Sequence, residues 1–234
     1  MPDALRIAIV GAESTGKSAL ARVLAARLEA EFGLRAARVD EFLREWCVAA
    51  GRTPRPQEQL AIATEQQRRI DAAAAAGAEV VVCDTTPIMI AVYSELLFAD
   101  RSFVEFARAC HARADFTLLT ALDLAWVEDG TIRDGPHVRE PVDRLVRGHL
   151  AAIGSPWAVV AGSGAARADN ALAALRPLLA GRARERQAPR GLFNALLAAE
   201  PGPRQPAGCA LRGLCELCDR GDLEHLKRGP VQNS

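Results

Sequence analysis

Lysine is nearly missing from this chain. It occurs only at Lys17 and Lys227, although Lys and Arg together number 29. Asp and Glu also number 29, so the net charge is zero. That balance excludes a broad field drawing the chain to nucleic acid or to an anionic membrane surface. No apolar run approaches the ~20 residues a membrane span needs. The N-terminus, "MPDALRIAIV", carries an acid and lacks a long apolar core before a cleavage site. It reads as a first strand rather than a signal peptide. No internal repeat of solenoid length is present. These absences point to a cytoplasmic protein, in which cysteines serve as thiols or metal ligands rather than disulfides.

Half of the 234 residues are hydrophobic, enough for one α/β domain of roughly 180–200 residues with an appendage. Strand-like runs alternate with helical periodicity. "LRIAIV", "LRAARV", "AEVVVCD", "DFTLLTAL" and "WAVVAG" are the expected strands. "KSALARVLAARLEAEFG", "DEFLREWCVAAG" (with Asp40 as a candidate cap), "PRPQEQLAIATEQQRRIDAAAAAG", "PIMIAVYSELLF", "SFVEFARACHARA", "PVDRLVRGHLAAIG" and "ARADNALAALRPLLAG" are the expected helices. Such alternation predicts a doubly wound, five-stranded parallel sheet with helices on both faces. Residues 123–143 are polar and Gly/Pro-punctuated, and read as a loop or lid. The expected domain covers residues 1–181. Residues 182–234 read as an Arg-rich linker, a short helix "GLFNALLAAE" and a cysteine-bearing tail.

"GAESTGKSAL" fits the G-x-x-x-x-G-K-[ST] phosphate loop from Gly11 to Ser18, with an apolar strand before it and a helix after it. Backbone N–H groups of Gly11, Glu13, Ser14, Thr15, Gly16, Lys17, Ser18 and Ala19 are the candidates for holding ATP phosphates. Lys17 would reach the outer phosphates and Ser18 would ligate Mg²⁺. The Arg bias of the chain spares Lys17, where a planar guanidinium would not mimic a compact ammonium.

The loop alone does not separate GTPase, mechanical ATPase and small-molecule kinase. A GTPase needs a lysine-bearing guanine clamp after a later strand, and "TALD" has Leu122 there. A mechanical ATPase usually follows its strand-terminal Asp with a water-activating Glu. Here Asp84 is followed by Thr85 and Thr86. That favours phosphoryl transfer to a bound acceptor over hydrolysis. A kinase needs acceptor-site carboxylates and mobile arginines. "DEFLREW" supplies Asp40, Glu41, Arg44 and Glu45 at the carboxyl edge of the sheet. "WVEDGTIRDGPHVREP" supplies Trp126, Asp129, Arg133 and Arg139, with Arg144 and Arg147 following.

In order, "GAESTGKS", "DEFLREW", "PQEQLAIATEQQRRID", "VVVCDTTP" and "LAWVEDGTIR" resemble the NadR-type ribosylnicotinamide kinase domain, a P-loop, AAA_28-like ATPase and kinase family. The resemblance covers about residues 5–180. It implies transfer of the ATP γ-phosphoryl to the 5′-hydroxyl of nicotinamide riboside, and hence a role in NAD biosynthesis. It places Glu41 and Arg44 on the substrate and Asp84 near Mg²⁺ or the attacking hydroxyl. It also lets Trp126 stack on a cationic pyridinium and Asp129 bind ribose, with Arg133 and Arg139 as lid arginines. Two positions depart from the pattern: Phe42 where Tyr is common, and Thr86 where an Asp often follows Asp-Thr. The first strand starts near residue 5, so the adenylyltransferase activity of bifunctional relatives is not expected. Two rivals stay open: a kinase for another small metabolite, and a nucleotide-dependent adaptor ATPase.

The tail, "CALRGLCELCDRGDLEH", leaves alternatives open as well. Cys209, Cys215, Cys218 and His225 could form a Cys₃His zinc site around one Cys-x-x-Cys knuckle. The competing readings are unpaired thiols in a flexible tail and a segment that docks a protein partner. Cys47, Cys83 and Cys110 read as small apolar core residues. His111, His137 and His149 show no partner pattern.

Overall fold

A computed structural model describes residues 3–127 and 135–187, with side chains as far as residue 182. Asp129, Arg133 and the tail residues Cys209, Cys215, Cys218 and His225 lie outside the described residues. Strands β1 (Leu5–Val10), β2 (Ala36–Val39), β3 (Val80–Asp84), β4 (Phe116–Thr120) and β5 (Trp157–Val160) form a five-stranded sheet in the order β2-β3-β1-β4-β5. Every pairing is parallel. The helices are α1 (Lys17–Phe32), α2 (Phe42–Ala50), α3 (Pro56–Ala75), α4 (Pro87–Phe98), α5 (Val104–His111), α6 (Arg139–Ile153) and α7 (Gly164–Gln187). None of the described helices is long and apolar enough to cross a membrane.

The period of two along each strand explains the layering. Leu5, Ile7 and Ile9 of β1, with Val80 and Val82 of β3 and Leu118 of β4, pack against Leu20, Leu24 and Leu28 of α1. Leu172 and Leu175 of α7 complete that face. The alternate residues Val10 and Leu119 face Ile62 of α3, Ile88 and Val92 of α4, and Val142 and Leu150 of α6. A third cluster joins Val39, Val81 and Cys83 to Ile70. Both faces of the central strands are therefore apolar, as a sheet covered on both sides requires. α4 is buried along nearly its whole first half, from Pro87 to Val92, which matches its unbroken apolar sequence.

Three boundaries differ from expectation. α2 starts at Phe42 with Glu41 at its N-cap, and no side chain caps it from within. The Asp40 carboxylate pairs with Arg38 at 2.9 Å instead. The Phe42 N–H donates to Gln66 Oε1 of α3 at 2.8 Å, so a neighbouring helix does the capping. α6 begins at Arg139, with a 3₁₀ turn at Pro136–Val138 before it. The helix expected from Pro141 thus starts two residues earlier, at Arg139 and Glu140; Pro141 falls in the first turn, where its missing N–H costs nothing. α7 runs on through "GRARERQ" to Gln187, where the sequence reads as linker. Ala, Arg, Glu and Gln are strong helix formers, and they carry the helix past Gly181.

Candidate active site

β1 ends at Val10, and the chain turns through Gly11 at φ 145°. A Cβ on Gly11 would lie 2.2 Å from Thr120 Oγ1, at the end of β4. Only glycine fits so close an approach. The Thr120 hydroxyl donates to Val10 O at 3.2 Å and bonds the Thr15 hydroxyl at 2.7 Å. Ser14 sits at φ 56° and Gly16 at φ 79°. The loop then enters α1 with no side-chain cap and no acid in the first turn. The free N–H groups and the positive end of the helix are left for an anion.

Lys17 opens α1 and its Nζ donates to Ala12 O at 2.9 Å. Burial holds its ammonium below the usual lysine range, while Glu41, Asp84 and Glu13 pull it back up. Asp84 reaches the loop because β3 adjoins β1, with Ile9 opposite Asp84 in register. Its side chain is 2% exposed. Burial raises its carboxyl above the ordinary value, and the Ser18 hydroxyl and Lys17 oppose that shift. Its Oδ1 has no hydrogen-bond partner among the described residues. Thr85, the next residue, stands at φ 73°, a left-handed conformation unusual for a β-branched side chain. Its N–H donates to Ile9 O at 3.0 Å, which fixes the turn beneath Asp84.

A cavity of about 500 Å³ runs from the phosphate loop into a second wall. Glu13 through Ala19 and Arg22 line the loop end; Glu41, Leu43, Arg44 and Cys47 line the side of α2. Thr53 and Pro54, Gln59 of α3, and Tyr93, Leu97 and Phe98 of α4 close it. Glu41 and Arg44 lie 3.7 Å apart, one helical turn from each other. Both act electrostatically on Lys17, so the two ends of the chamber share one field.

The other expected site residues separate. Trp126 does not line the cavity; its neighbour Val127 donates to Ser14 Oγ at 2.8 Å, over the phosphate loop. The tyrosine of the chain, Tyr93, is the cavity aromatic together with Phe98. Arg139 is buried, and its Nε and Nη2 have no hydrogen-bond partner among the described residues. Glu45 is engaged outside the cavity by Arg69 at 2.7 Å, and Arg69 lies over the Phe42 ring. Arg147 pairs with Asp143 and lies over Trp157, while Arg144 is exposed. Thr86 turns away from the cavity and bonds His111 Nδ1 at 2.7 Å; His111 Nε2 meets the Thr117 hydroxyl at 3.0 Å. Burial pushes His111 down to about 4. His149 is likewise buried, between Arg108 and Glu95.

Tyr93 and Arg167 belong to the site region but carry no motif, and Gln59 lies within "PQEQLAIATEQQRRID" with no role assigned to it by the sequence. Gln59 and Gln66 share a stripe with Ile62, Ala63 and Ile70, all buried on α3. Glutamines at core-facing helical spacing are a sequence signal of their own, since a buried polar group needs a partner.

The strand order, the glycine loop between β1 and α1, and the strand-terminal Asp84 define a P-loop α/β protein of the kinase-like type. More particularly, the chain belongs to the AAA_28 family, described as an AAA domain, whose profile matches residues 6–167. No curated protein matches the chain. Among solved structures, it is similar to the NadR protein in complex with NR (TM-score 0.60, 19% identity). That match covers 74% of this chain and 50% of the NadR chain, so it spans half of the longer protein. It is also similar to thymidylate kinase from Ehrlichia chaffeensis (TM-score 0.53, 14% identity), over 76% of this chain and 98% of that one. At these identities the likeness is one of fold.

Proposed function

We propose that the protein is a Mg-ATP-dependent phosphotransferase acting on the 5′-hydroxyl of nicotinamide riboside or a similar nucleoside. The single observation that carries this reading is the shared cavity. The phosphate loop forms one end of it, and Glu41, Arg44, Gln59 and Tyr93 wall the other. A hydrolase needs only the first end. A kinase needs both, within reach of each other.

Lys17 gives up the Ala12 carbonyl and donates to the outer phosphates. Glu41 orients the acceptor hydroxyl and takes its proton, with Arg44 holding the carboxylate in place and adding positive charge near the transferring group. Glu13 and Glu41 give the cavity carboxylates suited to a cationic base, and Tyr93 and Phe98 offer faces on which to stack it. The buried Asp84 Oδ1 without a partner and the adjacent Ser18 hydroxyl fit Mg²⁺, which prefers hard oxygen ligands. When bound, the ion offsets phosphate charge.

Purified protein with Mg-ATP and nicotinamide riboside should yield nicotinamide mononucleotide, read by mass. No phosphorylated product from this nucleoside, with turnover of a neutral one, would show the acceptor to be wrong.

A further inference from the structure

We propose that Arg167, clamped by Asp123, is a positioning residue that holds the phosphate loop in its phosphate-binding shape. The proposal rests on the reading of the loop as a nucleotide site. Arg167 sits in the first turns of α7, 3% exposed. Its Nη1 donates to Thr15 O at 2.6 Å and its Nε to Gly162 O at 2.6 Å. Its Nη2 makes a close ion pair with Asp123. The other oxygen of Asp123 accepts the Gly162 N–H at 2.5 Å. Burial alone would raise the Asp123 carboxyl, yet the Gly162 amide and Arg167 hold it below its ordinary value.

The geometry gives the arrangement a purpose. In a trans peptide the carbonyl and the following N–H point in opposite directions. Fixing the Thr15 carbonyl on Arg167 therefore turns the Gly16 N–H the other way, and Gly16 lines the cavity. The guanidinium fork satisfies three acceptors at once, which one ammonium cannot do in a fixed plane. Asp123 follows β4 and Gly162 follows β5, so the latch anchors the loop to two strand ends besides its own. Gly162 is at φ 98°, and a Cβ there would come 3.3 Å from the Arg167 backbone nitrogen, so the turn into α7 favours glycine.

The test compares ADP and AMP binding to the full chain with fluorescent nucleotide analogues. Arg167→Gln should weaken ADP by about tenfold and AMP by less than about twofold, as loss of a charged hydrogen bond at the outer phosphate predicts. Arg167→Lys should recover part of the difference. Equal losses for ADP and AMP in a folded variant, or none, would overturn the inference. If Arg167→Gln does not fold, Asp123→Asn carries the test. It leaves both carbonyl contacts in place and should still lower the ADP-to-AMP preference; an unchanged preference overturns the proposal. Wild-type protein that binds neither nucleotide would instead remove the nucleotide reading beneath it.

Discussion

A methyl group on Gly11 would come within 2.2 Å of Thr120 Oγ1. Gly11→Ala should therefore cost about 1–3 kcal/mol of stability, because φ 145° is also strained for alanine. Thr120→Ala in the same chain should return part of that loss in a urea denaturation series; full additivity would show that the clash is absent. Lys17→Ala removes the ammonium proposed to bind the outer phosphates and should lower phosphoryl transfer by about 10²-fold or more. ADP binding intact in that variant would undo the loop assignment. His111 gives a pH prediction. Its folded value is depressed to about 4 from 6.5, so the unfolded chain binds the proton more readily. The stability this neutral histidine supports is complete above about pH 6.5 and is lost as pH falls toward 4, at up to about 1.4 kcal/mol per unit. His111→Gln should flatten the urea midpoint over that window; an unchanged slope would refute the assignment.

At the scale of elements, α2 depends on α3. The Gln66 amide accepts the Phe42 N–H and donates to Asp40 O at 3.3 Å, so it fixes the turn that presents Glu41. Gln66→Leu should cost about 1–3 kcal/mol for the orphaned amide. In kinetics it should raise KM for the acceptor more than KM for ATP, and equal changes would show that α2 is placed by other contacts. The same pair of helices explains what could be read without a structure. Lys17, Ser18 and Asp84 are legible because the phosphate loop is continuous in sequence and Asp84 ends a β-branched run. Glu41 and Arg44 are legible because they follow a strand at the ligand edge of the sheet. The cavity positions of Gln59, which lies inside a quoted stretch, and of Tyr93 are not, because both reach the cavity from helices whose relative placement no local pattern encodes. Arg167 lies 152 positions from Thr15, and nothing in its helix distinguishes it from a surface arginine. Asp40 fails as a cap because a tertiary contact, from Gln66, outcompetes the local one.

For the whole molecule, ligand binding should appear as stability. A nucleotide at 100 times its dissociation constant adds about 2.7 kcal/mol to unfolding. Mg-ADP should thus raise the melting temperature of the wild type but not of Lys17→Ala, and equal shifts in both would place the nucleotide elsewhere. The sheet predicts where flexibility resides. The phosphate cradle hangs from β1, β3 and β4, three adjacent strands with apolar residues on both faces. The wall proposed for the acceptor comes from α2, α3, α4 and the turn at Thr53 and Pro54, outside the sheet. Amide exchange should therefore be slowest around the cradle and faster along α2. This division separates two kinds of inheritance. On the proposed reading, substitutions at Leu43, Cys47, Gln59, Tyr93 or Leu97 reshape what is accepted and leave the phosphate loop intact. On that reading, a lineage built on this chassis changes its acceptor by small steps, each leaving the phosphate loop untouched.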